Sequence, residues 1–401
     1  MKQIMILSSS RTGHGHKSIA DALAERLVQS GDIRVEIVEG FLLFGRLGLK
    51  AGGMYGPITR RGKDSWKIFW SVSAGNPEFF SQTLTSFIHD RFMQRLKKDP
   101  PNLILSIHPL FSSTVVSILR ENNIHVPFVT LLADLVDIHP LWVDSRADCI
   151  LCPTDEALDA CRMLGAPAAA LKRCGFPTRG VFTEAARNAE HKPYTPDRPL
   201  ECLLMSGGEG SGNLRAISKM LLENIDARVT VICGRNKRMK AALEKHLDSY
   251  GERVRILGFC ENVQDYMLES DIAFMRGSPN SMMEAVICNV PMIITGSLPG
   301  QEERNPEFVQ MHGLGVTCRN KSQIIPLIKG LLENGAEGLN RIAERQRYFR
   351  NFDNAAEIAK FLADTARESP ALIPDYENRL PLLTQAAEIY RRLESAGKSK
   401  E

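Results

Sequence analysis

The sequence predicts an α/β protein made of two doubly wound parallel sheets, each covered by helices, that face one another across a cleft. Three observations carry this expectation. Short apolar runs alternate with stretches of helical periodicity along most of the chain. A proline cluster at 191–199, HKPYTPDRP, interrupts the alternation, because three prolines in nine residues suit neither a helix nor a central strand. The alternation then resumes, and 401 residues leave room for two domains of ordinary size.

The elements follow in order. The run from Gln3 to Ser8 reads as a strand, and KSIADALAERLVQSG after it as a helix with Ile19, Leu23 and Leu27 on one face and Gly31 at its end. RVEIVEG alternates like a strand and closes a strand–helix–strand crossover. NLILSIHP reads as a buried strand, 111–122 as a helix and PFVTLLADL as another strand. ADCILCPTDEALDACRMLG is a strand leading into a helix capped at Thr154 or Asp155. Beyond the prolines, ECLLM, RVTVICG, RVRILGF, DIAFMRG and PMIITG read as strands with helices between them, one beginning at Ser281. From Arg341 the chain is mainly helical. The expected division is an N-terminal domain at 1–190, a C-terminal domain at 200–345 and helices at 346–401, with packing back on the N-terminal domain as one arrangement open to them.

Composition narrows the function. Hydrophobic residues at 43% and charged residues at 24% exclude disorder and a fibrous repeat. A net charge of +3 gives no reason to expect a nucleic-acid partner. The charge is uneven, however: between Phe41 and Lys98 ten lysines and arginines stand against three acidic residues. Nine scattered cysteines predict reduced, buried thiols rather than a disulfide framework. Cys149-Ile-Leu-Cys152 has metal or redox spacing but no second pair, and reads as part of a strand. The N-terminal apolar run is too short for a signal peptide, and no run approaches the ~18 residues of a membrane span. The expected location is therefore cytoplasmic, with any membrane contact peripheral, at the cytoplasmic face.

Four motifs lie at the carboxyl ends of predicted strands, where one cleft could collect them. In Met205-Ser-Gly-Gly-Glu-Gly-Ser-Gly212, glycines at 207, 208, 210 and 212 would let backbone N–H groups approach a diphosphate at a helix start, although a tight strand-to-helix turn also needs glycine. Thr12-Gly-His-Gly-His16 offers His14 or His16 as a base kept neutral by the helix N-terminus, or as lining of the turn. In FMRGSPNSMME, Ser278, Asn280 and Ser281 could donate to phosphate, and Glu284 in the first helical turn could hold a ribose diol; Ser281 with Glu284 is also an ordinary capping box. LPGQEERN brings Gln301 and Glu302, suited to reading sugar hydroxyls, as any polar surface loop would be.

These blocks, GHGHKSIADAL, LLADLVDIHPLWVDSRADCILCPTDEA, MSGGEGSGN, ICGRNKRM, RILGFCENVQDYM, RGSPNSMMEA and LPGQEERN, resemble those of the monogalactosyldiacylglycerol synthases and processive diacylglycerol glucosyltransferases. That family stands with the peptidoglycan N-acetylglucosaminyl transferases in glycosyltransferase family 28, with two Rossmann-like domains in the GT-B fold. The resemblance spans residues 13 to 305. It implies His16 at the interdomain cleft, with His16 or Asp134 as catalytic base. It implies a donor site of Gly207, Gly208, Glu209 and Arg235 at the diphosphate, backbone around Phe259 at uracil, and Ser278, Pro279, Asn280 and Ser281 in the phosphate loop. Glu284 would take the ribose, and Gln301, Glu302 and Asn305 the sugar. His139 and Trp142 would lie on the acceptor side.

Two departures stand out. The loop before Glu284 usually reads Gly-Pro-Gly-Thr, whereas here Ser278-Pro279-Asn280-Ser281 carries side chains at both glycine positions. His14 also stands where a glycine is usual. The basic stretch interleaves Arg60, Arg61, Lys63 and Lys67 with Trp66, Phe69 and Trp70, a mixture suited to an anionic membrane surface, although aromatics at such spacing also build helix cores. The implied activity is an inverting transfer of a hexose from a UDP-sugar to a lipid hydroxyl, with no metal and no cofactor. A transferase for a soluble acceptor and a noncatalytic UDP-sugar or lipid binder are the alternatives.

Overall fold

A computed structural model of the chain describes residues 1–10, 14–45, 70–190, 193–205 and 214–376. The N-terminal half runs β1 (Lys2–Ser8), α1 (Gly15–Gln29), β2 (Ile33–Glu39), α2 (Pro77–Lys98), β3 (Leu103–Ser106), α3 (Pro109–Glu121), β4 (Phe128–Leu131), β5 (Cys149–Cys152), α4 (Asp155–Met163), β6 (Leu171–Arg173) and α5 (Gly180–Asn188). Its six strands are all parallel, in the order β2-β1-β3-β4-β5-β6. The second half runs β7 (Leu200–Met205), α6 (Leu214–Asn224), β8 (Ala227–Ile232), α7 (Lys237–Leu247), β9 (Val254–Leu257), α8 (Val263–Leu268), β10 (Ile272–Arg276), α9 (Pro279–Ile287), β11 (Met292–Gly296), α10 (Asn305–Met311), β12 (Gly315–Thr317), α11 (Ile324–Phe349) and α12 (Asn354–Thr365). Its strands are again parallel, ordered β12-β11-β10-β7-β8-β9. The expected fold class is borne out.

The local reasons are those a parallel sheet demands. Ile4 to Leu7 of β1 and Leu103 to Leu105 of β3 have no exposed surface, as central strands covered on both faces require. Ile19, Leu23 and Leu27 bury one stripe of α1, and Gly31 ends the turn at φ +85°. Thr154 caps α4, its hydroxyl accepting from the Ala157 N–H at 3.0 Å, which decides between the two candidate caps. One expectation needs correction. The helix carrying Glu284 starts at Pro279 with Ser278 as its N-cap, because proline suits the first helical position. Ser281 therefore lies inside the helix, Glu284 is beyond its first turn, and the capping box does not form.

After α11 the chain returns to the first half. α12 packs there, with Lys172 Nζ 4.4 Å from the centre of the Phe361 ring and Asn354 Nδ2 donating to the Phe176 carbonyl at 3.2 Å. The segment beyond runs beside the start of β1 and β3: the Arg367 N–H donates to the Asn102 carbonyl (3.1 Å) and the Ala371 N–H to that of Pro101 (2.9 Å). Buried Asn102 ties the pieces together, accepting from the Gln3 N–H at 2.7 Å and donating to the Arg367 carbonyl at 2.9 Å. Asn102→Leu leaves both backbone groups without a partner, and we expect a loss of about 1–3 kcal/mol of stability in urea unfolding. A change below about 0.5 kcal/mol, the usual effect of a bland surface substitution, would refute the assigned role.

Candidate active site

Strand order decides where the site lies. In each sheet the order reverses once, between β1 and β3 in the first and between β7 and β10 in the second. Open parallel sheets hold ligands in the crevice beyond the carboxyl ends of strands flanking such a reversal. The segments there carry His14, His16 and His108 from the first sheet, and Ser278 to Ser281 from the second. Gly207, Gly208 and Glu209 lie outside the described residues, as do Arg60, Arg61, Lys63, Trp66, Lys67 and Phe69.

The two halves meet through these loops. Asn280 Nδ2 lies so close to Gly15 that a Cβ there would stand 2.9 Å from it. Arg235 Nη1 is 2.8 Å from His14 Nε2, and its guanidinium carbon lies 4.9 Å from the centre of the half-exposed Phe259 ring. Gln301 Nε2 donates to Asp134 Oδ1 at 3.1 Å, and the Arg304 N–H to Asp137 Oδ2 at 2.8 Å. Trp70 is held between His139, 4.5 Å away ring to ring, and Gly300, whose backbone at φ +82° admits the indole where a Cβ would stand 2.9 Å from it. It thus packs in the seam between the halves.

Asp134 is the most perturbed acid of the seam. It is 2% exposed, and burial pushes its carboxyl up to about 7, against the opposing hydrogen bonds from Trp142 and Gln301. The fully buried Trp142 donates its indole N–H to Oδ2 at 2.8 Å and so orients the carboxyl. Its ring centre lies 6.1 Å from that of His16. His16 is also buried, and desolvation pushes it down to about 4, so it is neutral at neutral pH. Its ring is bonded to the Ile107 backbone and leaves Nδ1 buried with no hydrogen-bond partner. His108 lies against it at 4.6 Å between ring centres.

Several expected donor residues take up specific places. Glu284 accepts at Oε1 from Arg179 Nη2 (2.9 Å) and Nε (3.3 Å), across the two halves; burial raises its pKa and Arg179 opposes the rise. Glu302 is turned inward, with Oε1 accepting from Arg276 Nη2 (3.0 Å) and Oε2 from the Leu298 N–H (2.9 Å). Its oxygens shape the loop, and Gln301 reaches the cleft. Asn305 is buried, donating to the Gly277 carbonyl at 2.8 Å. Pro279 begins α9, and Ser278 Oγ donates to Ser281 Oγ at 3.2 Å. His139 is pinned by both nitrogens, Nδ1 accepting from the Leu141 N–H (3.1 Å) and Nε2 lying 3.0 Å from Ser73 Oγ. It anchors the Trp70 segment.

Sequence reading missed Arg179, Arg276, His108 and Asp137. Each follows or ends a strand on the cleft side, the same signal that drew attention to the four motifs. A cavity of about 450 Å³ lies elsewhere along the junction, lined among others by Arg173, Phe176, Met283, Ile287, Phe349 and Arg350, and shares no residue with the Asp134–Gln301 contact. The nine cysteines are all free; burial pushes Cys149 and Cys233 up to about 11, which keeps them protonated and unreactive at neutral pH.

Comparison with known proteins bears on the fold and the class of protein. A family described as monogalactosyldiacylglycerol (MGDG) synthase matches residues 49–178, and one described as glycosyl transferases group 1 matches residues 213–334. Monogalactosyldiacylglycerol synthase 3 of Arabidopsis thaliana is 24% identical over 408 residues, covering 96% of this chain and 84% of that protein. Probable monogalactosyldiacylglycerol synthase 2 of Oryza sativa subsp. japonica is 28% identical, covering 80% of this chain and 71% of that one. The same fold is found in Acinetobacter baumannii MurG (TM-score 0.59, 14% identity, 91% and 100% covered) and in the UDP complex of S. aureus MnaA (TM-score 0.60, 18% identity, 94% and 100% covered). The fold and the sequence relatives together define a glycosyltransferase of the two-domain GT-B kind. Within that class its sequence is similar to the monogalactosyldiacylglycerol synthases over most of its length, the likeness the motifs implied.

The raised Asp134 has a measurable consequence for folding. A carboxyl whose folded pKa of about 7 exceeds its unfolded value of 3.8 contributes stability that is full below the unfolded value and is lost as pH rises through the folded one. The stability of the wild type relative to Asp134→Asn should therefore fall between about pH 4 and about pH 7 in urea titrations and level off above that. Parallel pH profiles of the two proteins would show that Asp134 titrates normally.

Proposed function

We propose that this glycosyltransferase moves a hexose from a UDP-sugar to a hydroxyl of a membrane lipid, diacylglycerol or a glycosylated form of it, with inversion at the anomeric carbon. The observation that carries the reading is the Asp134–Gln301 contact. A carboxyl poised near neutral pH sits at the seam between the domains, bonded to the loop the resemblance assigns to the donor sugar. The relatives named as monogalactosyldiacylglycerol synthases support the acceptor class, and the UDP complex of a protein sharing the fold supports the donor.

In this reading the acceptor oxygen attacks the anomeric carbon on the side opposite the departing UDP, and its proton passes to the Asp134 carboxylate. The new carbon–oxygen bond forms as the bond to the diphosphate breaks. Arg235 and the N–H groups at helix starts stabilise charge growing on the leaving group. Asp134 suits the base better than His16, because a base works best with a pKa near the working pH and His16 lies near 4. Arg179 keeps Glu284 oriented for the ribose hydroxyls, and Trp142 keeps Asp134 oriented for the acceptor.

Docking on an anionic membrane is part of the proposal. The described residues that flank the basic stretch in sequence expose Leu42, Val72, Phe79 and Phe87, apolar groups of a kind that can seat at headgroup level. No helix among the described residues is long and apolar enough to cross a membrane. In flotation with anionic vesicles the protein should rise with the lipid at low salt and detach as salt screens the cations. Protein that stays at the bottom at low salt would favour a soluble acceptor.

The pH–rate profile tests the base. With mixed lipids and UDP-sugars, glycolipid formation should rise with pH and level off above about 7, whereas a base of pKa near 4 would give a flat profile across this range. Asp134→Asn should lower turnover by about 10²- to 10⁴-fold while leaving UDP affinity close to wild type. Trp142→Phe, by removing a hydrogen bond that lowers the Asp134 pKa, should move the acid limb upward. A limb that stays in place would remove Asp134 from the role.

A further inference from the structure

His14 departs from the glycine usual at its position, and its surroundings point to a use. It precedes α1 as the N-cap, at φ −92° and ψ −2°, yet its side chain makes no capping hydrogen bond. It instead reaches the other half of the molecule, where Nε2 meets Arg235 Nη1 at 2.8 Å. Arg235 is the cation that the proposed donor site assigns to the diphosphate, and the Phe259 ring 4.9 Å away helps to orient its guanidinium plane.

Chemistry limits what this contact can be. A guanidinium only donates and is always charged, so the His14 Nε2 that faces it must offer its lone pair, and the imidazole is neutral in this pose. Two groups able to bear positive charge, one from each domain, thus converge on one exposed point. An anion entering there would satisfy both at once, Arg235 donating from one side and the imidazole N–H, after a change of tautomer or protonation, from the other. The neighbouring elements agree. The backbone at Gly15 lies against Asn280 of the loop proposed for phosphate, so the anion of a donor in that loop would be within the compass of α1.

We infer that His14 is a ligand of the donor diphosphate contributed by the N-terminal domain, forming with Arg235 a two-sided clamp through which a nucleoside diphosphate sugar holds the domains together. The inference rests on the proposed donor site and goes beyond it by adding a ligand from the opposite domain, at a position where a glycine is usual in the resembled family. The His14–Arg235 hydrogen bond brings the two arms of that clamp together.

Isothermal titration of the full chain with UDP and with uridine tests this. His14→Gly is well suited, because glycine is accepted at an N-cap and at these backbone angles. Loss of one charge-assisted contact should weaken UDP by about ten-fold while leaving uridine unchanged, since uridine has no phosphate to lose. His14→Gln, which retains an N–H donor, should recover part of the loss. Arg235→Ala serves as the reference and should weaken UDP more strongly. If Arg235→Ala weakens UDP and His14→Gly does not, the clamp is overturned and the donor site stands. If His14→Gly weakens UDP and uridine equally, the residue merely shapes the loop and the clamp is again overturned. If the wild type binds no UDP, or Arg235→Ala binds it as the wild type does, the donor site itself fails.

Discussion

Burying a carboxyl group at the meeting of two domains imposes a choice: either a cation neutralises it, or it keeps its proton to higher pH. At Asp134 the second solution operates. An ionised carboxylate with no partner in such a place would cost several kcal/mol, and among the described residues the group accepts hydrogen bonds from two neutral donors, the Trp142 indole and the Gln301 amide. Neutral donors moderate the cost of ionisation without abolishing it, which leaves the pKa near 7. Because one donor belongs to each domain, the proton affinity of this group and the contact between the domains are one physical arrangement.

The other acids of the seam show the opposite solution. Glu302 faces Arg276 and Glu284 faces Arg179, so each carries a cation that opposes the effect of burial. The two pairs differ in what they organise. Arg276 and Glu302 both belong to the second domain, and together with the Leu298 N–H they hold the 298–302 loop so that the next side chain, Gln301, projects to Asp134. Arg179 and Glu284 come from different domains and join them. Adjacent residues of one polar loop, Gln301 and Glu302, thus serve unlike ends, one facing the cleft and one supporting it.

Topology explains why these groups meet at all. In a parallel sheet every strand ends on the same edge, and the single reversal of strand order opens a crevice between neighbouring loops. In this chain segments that follow strands of the two sheets meet one another, as at His14 with Arg235, Gly15 with Asn280 and Asp134 with Gln301. The return of α12 and 366–371 to the first domain carries the chain back across the junction between the halves.

Much of this was legible in the sequence because periodicity and glycine placement are local properties. The buried run of β1, the Ile19–Leu23–Leu27 stripe, the Thr154 cap and the position of each motif after a strand all depend on neighbours a few residues away. The family likeness, carried by blocks such as HPLWV and PGQE, was legible for the same reason. What the sequence could not yield were contacts across long separations. Nothing near Arg179 announces Glu284, and nothing near His14 announces Arg235, which lies 221 positions further on. The start of α9 was misplaced because a serine three residues before a glutamate looks like a cap wherever it occurs. The amino-acid order by itself determined which segments became strands and which loops gathered at their ends. Only the tertiary structure decided which side chains faced one another there, because burial, and with it the proton affinity of Asp134 and His16, depends on what the other domain brings.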